Sequence, residues 1–248
     1  MHIDFSHTDE RLDQITTIEI GSERNPVLIF DSFLDDPDWA IHDACNSFFL
    51  KGGTVYPGVR GPLGIDFESL FYERCGLNIE RVFNCKLAPK IDRCAFSLVT
   101  IPPSQLTLNQ RVPHTDENEA SYLAFILYLC DESHGGTHFF RHRPTGFERI
   151  TQDRAPIYNA AVAEKMRAIE YQTSSSGYWS GEDEDYKLIF EAENRLNRLV
   201  VYSGSNLHSG DIRRPNALTE DPRTGRLTIT GFLASTTNRE APNGGRTD

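Results

Sequence analysis

Two residues in the string VPHTDEN, His114 and Asp116, are spaced for chemistry. On an extended segment, residues i and i+2 project to the same face. An imidazole and a carboxylate would therefore point at one place and could share a metal ion. A third donor must come from elsewhere in the chain. The best candidate is His208 in VVYSGSNLHSGDI, just after an apolar strand-like run, where a side chain can turn back into a barrel mouth. Two imidazoles and one carboxylate, with the remaining coordination positions open, suit Fe(II) that must also accept O2 and a co-substrate. The competing reading of His-x-Asp alone is a turn in which Asp116 caps a neighbour.

Arg226 begins GRLTITGFL. If this is a strand, Arg226, Thr228, Thr230 and Phe232 share one face, and Leu227, Ile229 and Leu233 pack on the other. A guanidinium with hydroxyls beside it is a grip for a carboxylate: Arg226 supplies a two-pronged fork and Thr228 a donor. A surface arginine paired with an acid is the alternative. In ESHGGTHFF, two glycines precede a strand, which permits close backbone approach beside a ligand. His134, His138 and His142 recur every fourth residue. The glycines and aromatics between them argue against a helix, and on a strand they would span about 26 Å, too far for one zinc ion.

These residues need elements to hold them. From residue 93 onward, CAFSLVTIP, SYLAFILYLC, THFFRH, NRLVVYS and RLTITGFLAS are short runs rich in β-branched and aromatic residues, separated by turns. Such a series implies a sandwich, barrel or jelly roll. Upstream, NPVLIFDSFL begins as a strand. DDPDWAIHDACNSFF starts a helix with an aspartate cap and Pro37 in its first turn, and DFESLFYERCG is a short helix that Gly76 should end. KGGTVYPGVRGPLG reads as a loop, APIYNAAVAEKMRAIEYQ as a helix, and SSSGYWSGEDEDY as an acidic loop over which Tyr178 and Trp179 are carried, a possible cover for the mouth.

The ordered set His114-Thr115-Asp116, LYL at 127–129, GGTHFF at 135–140, LHSG at 207–210 and RLT at 226–228 resembles the 2-oxoglutarate/Fe(II)-dependent dioxygenases, and within them the prolyl-4-hydroxylase-like branch. The resemblance covers about residues 93–235. It implies a mainly β fold with flanking helices: a double-stranded β-helix, or jelly roll, with an N-terminal helical layer. It implies that His114, Asp116 and His208 hold Fe(II), that Arg226 with Thr228 binds the distal carboxylate of 2-oxoglutarate, and that O2 is the oxidant. SYLAFILYLC would be the dry wall of the site. Tyr128 would either hydrogen-bond the co-substrate or lie buried in the core. The chain departs from the branch in its long intervals between Asp116 and His208 and between His208 and Arg226, in His138 two residues after the glycine pair, and in Arg226 where lysine is frequent.

The expected organisation is one domain over 1–237. Residues 1–92 form a supporting layer, 93–235 the core with an insertion at about 148–195, and 238–248 a disordered tail. The chain of 248 residues carries a net charge of −11, which disfavours nucleic acid as a partner. A basic groove could arise only locally, in RHRPTGFERI or the arginines at 213, 214 and 223. No apolar run is long enough for a membrane span, and the N-terminal residues lack a signal-peptide pattern, so a cytoplasmic hydroxylase of a peptide, amino acid or small molecule is expected. A jelly-roll module that binds metal without turnover is the alternative. The five cysteines include no Cys-x-x-Cys pair and should be reduced and mostly buried. A halogenase would need a small residue in place of Asp116.

Overall fold

The computed structural model describes residues 15–237 apart from 54, 65, 120, 172–176 and 180. Eleven strands are assigned among them: β1 (Ile15–Ile20), β2 (Asn25–Phe30), β3 (Leu50–Lys51), β4 (Gly58–Gly61), β5 (Cys85–Val99), β6 (Tyr122–Tyr128), β7 (Thr137–His142), β8 (Tyr186–Ala192), β9 (Leu199–Ser203), β10 (His208–Gly210) and β11 (Leu227–Thr237). They form two sheets. The larger has the order β1-β2-β9-β6-β11-β5-β4-β3, the smaller β10-β7-β8, and every pair is antiparallel. His114 adds a single bridge to the outer side of β10. From β5 to β11 the chain passes back and forth between the sheets, so β5-β11-β6-β9 faces the bridge residue, β10, β7 and β8. This mainly β arrangement is consistent with a jelly roll.

Strand β6 shows why the sequence selects this position. Every residue of YLAFILY after the first is buried. Leu123, Phe125 and Leu127 join a core beneath the large sheet, whereas Ala124, Ile126 and Tyr128 face the space between the sheets. A strand covered on both faces reads as an unbroken apolar run rather than an alternating one. β11 divides as the alternation predicts: Leu227, Ile229 and Leu233 enter the lower core. At the far end of β5, Leu233 pairs with Ile91 and Ser235 with Leu87, so the segment around Pro89 bulges out of the ladder. A proline lacks the N–H a central strand needs and is tolerated at such a bulge.

The N-terminal portion is not the helical layer expected. It is mixed: β1 and β2 extend one edge of the large sheet, β3 and β4 the other, and helices pack beneath. Helix α1 (Pro37–Asn46) begins as its sequence predicts, with the Asp36 side chain accepting from the Asp38 N–H at 3.0 Å and Pro37 at its start. Asp66 caps α2 (Phe67–Phe71). The predicted stop at Gly76 does not occur. Gly76 keeps right-handed helical angles, and the chain runs through a π turn at 72–76 into α3 (Leu77–Val82). Continuation buries Ile79 in the lower core, which also holds Phe71, Cys75 and Cys85. Burying one such aliphatic side chain yields about 2 kcal/mol, which exceeds the roughly 1 kcal/mol that glycine costs a helix.

Between β7 and β8 lies α4 (Ala155–Tyr171). β8 itself falls within the stretch 148–195 that reads as an insertion, yet it pairs along β7 from Thr137–Ala192 to His142–Tyr186 and is a strand of the small sheet. Its helical and acidic surroundings obscure its pattern in sequence. The expected tail, 238–248, lies outside the described residues. No helix among the described residues is long and apolar enough to cross a membrane. All five cysteines are free, and Cys75, Cys85 and Cys130 are buried.

Candidate metal centre

The backbone of His114 and that of His208 exchange two hydrogen bonds of 2.9 Å, which sets the two imidazoles side by side with ring centroids 4.6 Å apart. Asp116, two residues on, is fixed by its N–H donating to the Gly204 carbonyl at 2.8 Å. One ligand atom from each of His114, Asp116 and His208 lies within 4.8 Å of the others. His208 Nε2 is 3.4 Å from Asp116 Oδ2. Two donors each about 2.1 Å from one ion, at octahedral to tetrahedral angles, stand about 3.0–3.4 Å apart. His208 Nδ1 lies 2.9 Å from the Asn206 carbonyl, so Nδ1 carries the proton and Nε2 presents its lone pair toward Asp116.

Electrostatics favour the ligating forms of the imidazoles. Burial pushes His114 down to about 4, helped by neighbouring His208, and burial alone lowers His208 to about 4. Both are neutral at pH 7. Burial pushes Asp116 up to about 6, against the attraction of His114, Arg60 and Arg93. A carboxylate held this far above its usual range is poorly compensated by the protein alone, and a cation between it and the imidazoles would offset that cost. The donor set of two neutral imidazoles and one carboxylate thus fits a divalent transition metal.

The three residues open onto a cavity of about 430 Å³ between the sheets. The apolar part of its wall includes Ala124, Ile126, Tyr202 and Phe232, and Arg226, Thr228 and Thr230 line it from the large sheet. Arg226 is 5% exposed. Its Nε donates to the Gly135 carbonyl at 3.3 Å and its Nη2 to the Gly136 carbonyl at 2.8 Å, and no hydrogen bond from Nη1 is found among the described residues. The guanidinium is thereby locked in orientation while retaining donor capacity toward the cavity.

Thr228 Oγ1 donates to the Ser97 carbonyl over a long 3.4 Å. Tyr128 is fully buried, with its hydroxyl 2.7 Å from Thr137 Oγ1 and its ring 5.7 Å from the Arg226 guanidinium carbon. It does not line the cavity; it supports Arg226 and Thr137, which do. The glycine pair does permit close backbone approach, as its sequence suggests, but what approaches is the protein's own backbone. A Cβ on Gly135 would lie 2.0 Å from the Asp211 carbonyl oxygen, and one on Gly136 would lie 2.1 Å from that of Ala192. The glycines let neighbouring backbone pack close, and their own carbonyls hold Arg226.

Other cavity residues escape a sequence reading. Arg60 and Tyr56 fall in the Gly/Pro-rich stretch that reads as a loop, but Arg60 lies on β4 and reaches the cavity, its guanidinium carbon 4.5 Å from the Tyr56 ring centroid. Arg93 on β5 is a third cavity guanidinium. Tyr178 lines the cavity and donates to the Ile101 carbonyl at 2.5 Å, whereas Trp179 packs on Phe140 and Tyr186. Only Tyr178 of this aromatic pair reaches the mouth.

Apart from Arg214, which donates to Ser133 Oγ, the arginines of 141–150 and 211–214 face carboxylates. Arg141 pairs with Glu148, Arg143 with Glu182, Arg149 and Arg154 with Glu23, and Arg213 with Asp211 and Glu191. The histidines at 134, 138 and 142 do not converge. His134 lies on a 3-10 turn, His138 faces two carboxylates, and His142 Nδ1 is 2.9 Å from Thr145 Oγ1.

A family model matches residues 12–233, described as "Family of unknown function (DUF6445)". The chain belongs to the DUF6445 family. No curated protein matches it. Among solved structures, this DUF6445 chain is similar to the non-heme alpha-ketoglutarate-dependent epimerase SnoN from nogalamycin biosynthesis, with 11% identity and a TM-score of 0.46, over 91% of this chain and 88% of that one. It is also similar to AviO1 from Streptomyces viridochromogenes Tue57, with 13% identity and a TM-score of 0.42, over 98% and 99% of the two chains. A third is HygX from Streptomyces hygroscopicus, solved with nickel, 2-oxoglutarate and hygromycin B, with 12% identity and a TM-score of 0.43, over 92% and 87%.

Proposed function

We propose that this DUF6445 chain is an Fe(II)/2-oxoglutarate-dependent oxygenase that hydroxylates a peptide, amino acid or other small molecule, with residues 1–237 acting as one domain. The observation that carries this reading is the convergence of His114, Asp116 and His208 at a cavity that Arg226 enters from the opposite sheet. The ordered motifs that resemble the prolyl-4-hydroxylase-like branch support it. Acidic composition and the pairing of the local arginines favour such a substrate over nucleic acid, and the cytoplasm is the setting we assign.

In this reading His114, Asp116 and His208 hold Fe(II) and leave positions open. Bound iron with the keto acid would supply activation of O2 and oxidation of a substrate C–H bond. The residues of the chain do the rest. Neutral imidazoles and an ionised Asp116 provide one net negative charge against the cation. Arg226, held by two carbonyls, offers its remaining donor to the distal carboxylate of 2-oxoglutarate, and Thr228 beside it would donate by giving up its long 3.4 Å bond to the Ser97 carbonyl. Ala124, Ile126, Tyr202 and Phe232 give the wall an apolar stretch, which would strengthen charge interactions within.

Anaerobic titration of the apo protein with Fe(II) and then 2-oxoglutarate tests the reading. The weak visible charge-transfer band of an iron–keto-acid chelate should appear, vanish in His114→Ala, and require at least tenfold more 2-oxoglutarate in Arg226→Ala, since a charge-assisted bond is worth about 1.5–3 kcal/mol. Metal binding with no chelate at any 2-oxoglutarate concentration would support the non-catalytic metal-binding module instead.

A further inference from the structure

A second group of donors lies apart from the cavity. Strand alternation turns Thr137 and Phe139 of β7 inward, toward the cavity wall and His208, and places His138 on the outer face of the small sheet. His138 pairs across the ladder with Glu191 of β8. Asp211 follows β10, and Asp211, His138 and Glu191 are all absent from the cavity lining. Ligand atoms of His138, Glu191 and Asp211 lie within 4.8 Å of one another, so two donor groups occupy opposite faces of one three-stranded sheet.

The His138 side chain is 8% exposed, and neither ring nitrogen has a hydrogen-bond partner among the described residues. Nε2 is 3.7 Å from Glu191 Oε2 and 3.6 Å from Asp211 Oδ2. Those distances are too long for N–H···O hydrogen bonds, which cluster near 2.9–3.0 Å. They are within a few tenths of an ångström of the roughly 3.4 Å between two donors on one tetrahedral ion. A buried imidazole without a partner is costly. An ion between it and the two carboxylates would satisfy all three at once.

We propose that His138, Glu191 and Asp211 form a second metal site, for a divalent first-row transition cation such as Zn(II). Two carboxylates and a neutral imidazole give it a net charge of −2. Arg213 bears on the same carboxylates, with Nε donating to Asp211 Oδ2 at 2.6 Å and Nη2 to Glu191 Oε1. Its side chain is 47% exposed and can turn to solvent. Arg213 therefore acts as the competitor of the cation: it neutralises the carboxylates when the ion is absent and withdraws when it binds. Two of the three ligands sit on paired strands, so the donors are held by a sheet rather than a mobile loop.

The test counts Zn(II) bound at equilibrium dialysis in the full chain. Wild type should bind two ions, and a His114→Ala/Asp116→Ala variant one. Adding Glu191→Gln, a mild change at a half-buried position, should abolish the remaining ion. Arg213→Gln in the two-substitution background should tighten Zn(II) binding severalfold. This response separates a cation site from a plain ion-pair network, in which losing Arg213 would lower the melting temperature and leave Zn(II) binding unaltered. Zero ions in the folded two-substitution variant overturns the proposal while leaving the first centre intact. One ion that persists through Glu191→Gln with unchanged affinity overturns it as well.

Discussion

At the residue scale, the three ligands differ in the price of being ready for a cation. His114 and His208, pushed down to about 4, are neutral throughout the physiological range, but Asp116, pushed up to about 6 by burial, is not ionised at every relevant pH. A cation entering below pH 6 must displace the Asp116 proton. Affinity for Zn(II) or Fe(II) at this centre should therefore be flat above pH 6 and fall about tenfold per unit between pH 6 and 4, steepening below 4 as the imidazoles also charge. Titration with Zn(II) against a chelator of known strength, in a Glu191→Gln background, reads this directly; a profile unchanged between pH 7 and 5 would contradict it. His114, Asp116 and Arg226 could be singled out because a two-residue spacing and a strand alternation are local facts, whereas His208 was a candidate only from its place after an apolar run. Arg60 and Tyr56 were not, since glycine and proline around them mark turns, and a four-residue strand carries too short a pattern to outweigh that signal.

Elements reach the site through anchors, and Glu148 is the clearest. It leaves β7 on the turn before α4, and its carboxylate is fully buried, accepting from the N–H groups of Ser22 and Glu23, each at 2.9 Å, and from Arg141 Nε at 2.8 Å. These donors clamp the β1–β2 turn, where Gly21 has φ of +66°, onto the small sheet. Burial raises the Glu148 pKa, but the two backbone donors, Arg141 and Ser22 outweigh it and hold the group below its usual 4.5. Its stabilisation is thus complete above that value and drains away as pH falls through the depressed one. Glu148→Ala strands two backbone N–H groups and a guanidinium. It should cost about 2–4 kcal/mol in urea unfolding at pH 7, and the deficit relative to wild type should shrink below pH 4. Nothing in the local sequence announces this contact, because its backbone donors, Ser22 and Glu23, lie more than a hundred residues away. The same reason hid β8, whose strand character depends on its pairing with β7, and the continuation past Gly76, which depends on the lower core receiving Ile79. Strand β6 was legible because both of its faces are buried, leaving an apolar run that no surface element shows.

At the scale of the whole molecule, the candidate centre draws its parts from both sheets. His114 and His208 belong to the small sheet, while Arg226 immediately precedes β11 of the large one and Thr228 lies within it, with Arg226 reaching across to the carbonyls that lead into β7. A ligand that touches both sets ties the sheets together, and any ligand that binds only the folded chain stabilises it by mass action. Metal alone should act on the small sheet and the Asp116 segment. Metal with 2-oxoglutarate should add a further increment, because the co-substrate would span from the metal to Arg226. At a hundredfold excess over its Kd each ligand contributes about 2.7 kcal/mol, or a rise of roughly 5–10 °C in Tm for a chain of this size. Scanning calorimetry with Mn(II), with 2-oxoglutarate, and with both should therefore give a small shift for 2-oxoglutarate alone and the largest for the pair. In Arg226→Ala the metal increment should survive and the co-substrate increment should be lost. In His114→Ala neither should remain in a Glu191→Gln background, where the outer face of the sheet no longer contributes. Equal shifts from 2-oxoglutarate with and without metal would mean that the keto acid binds away from the triad, and the two halves of the centre would then be unconnected.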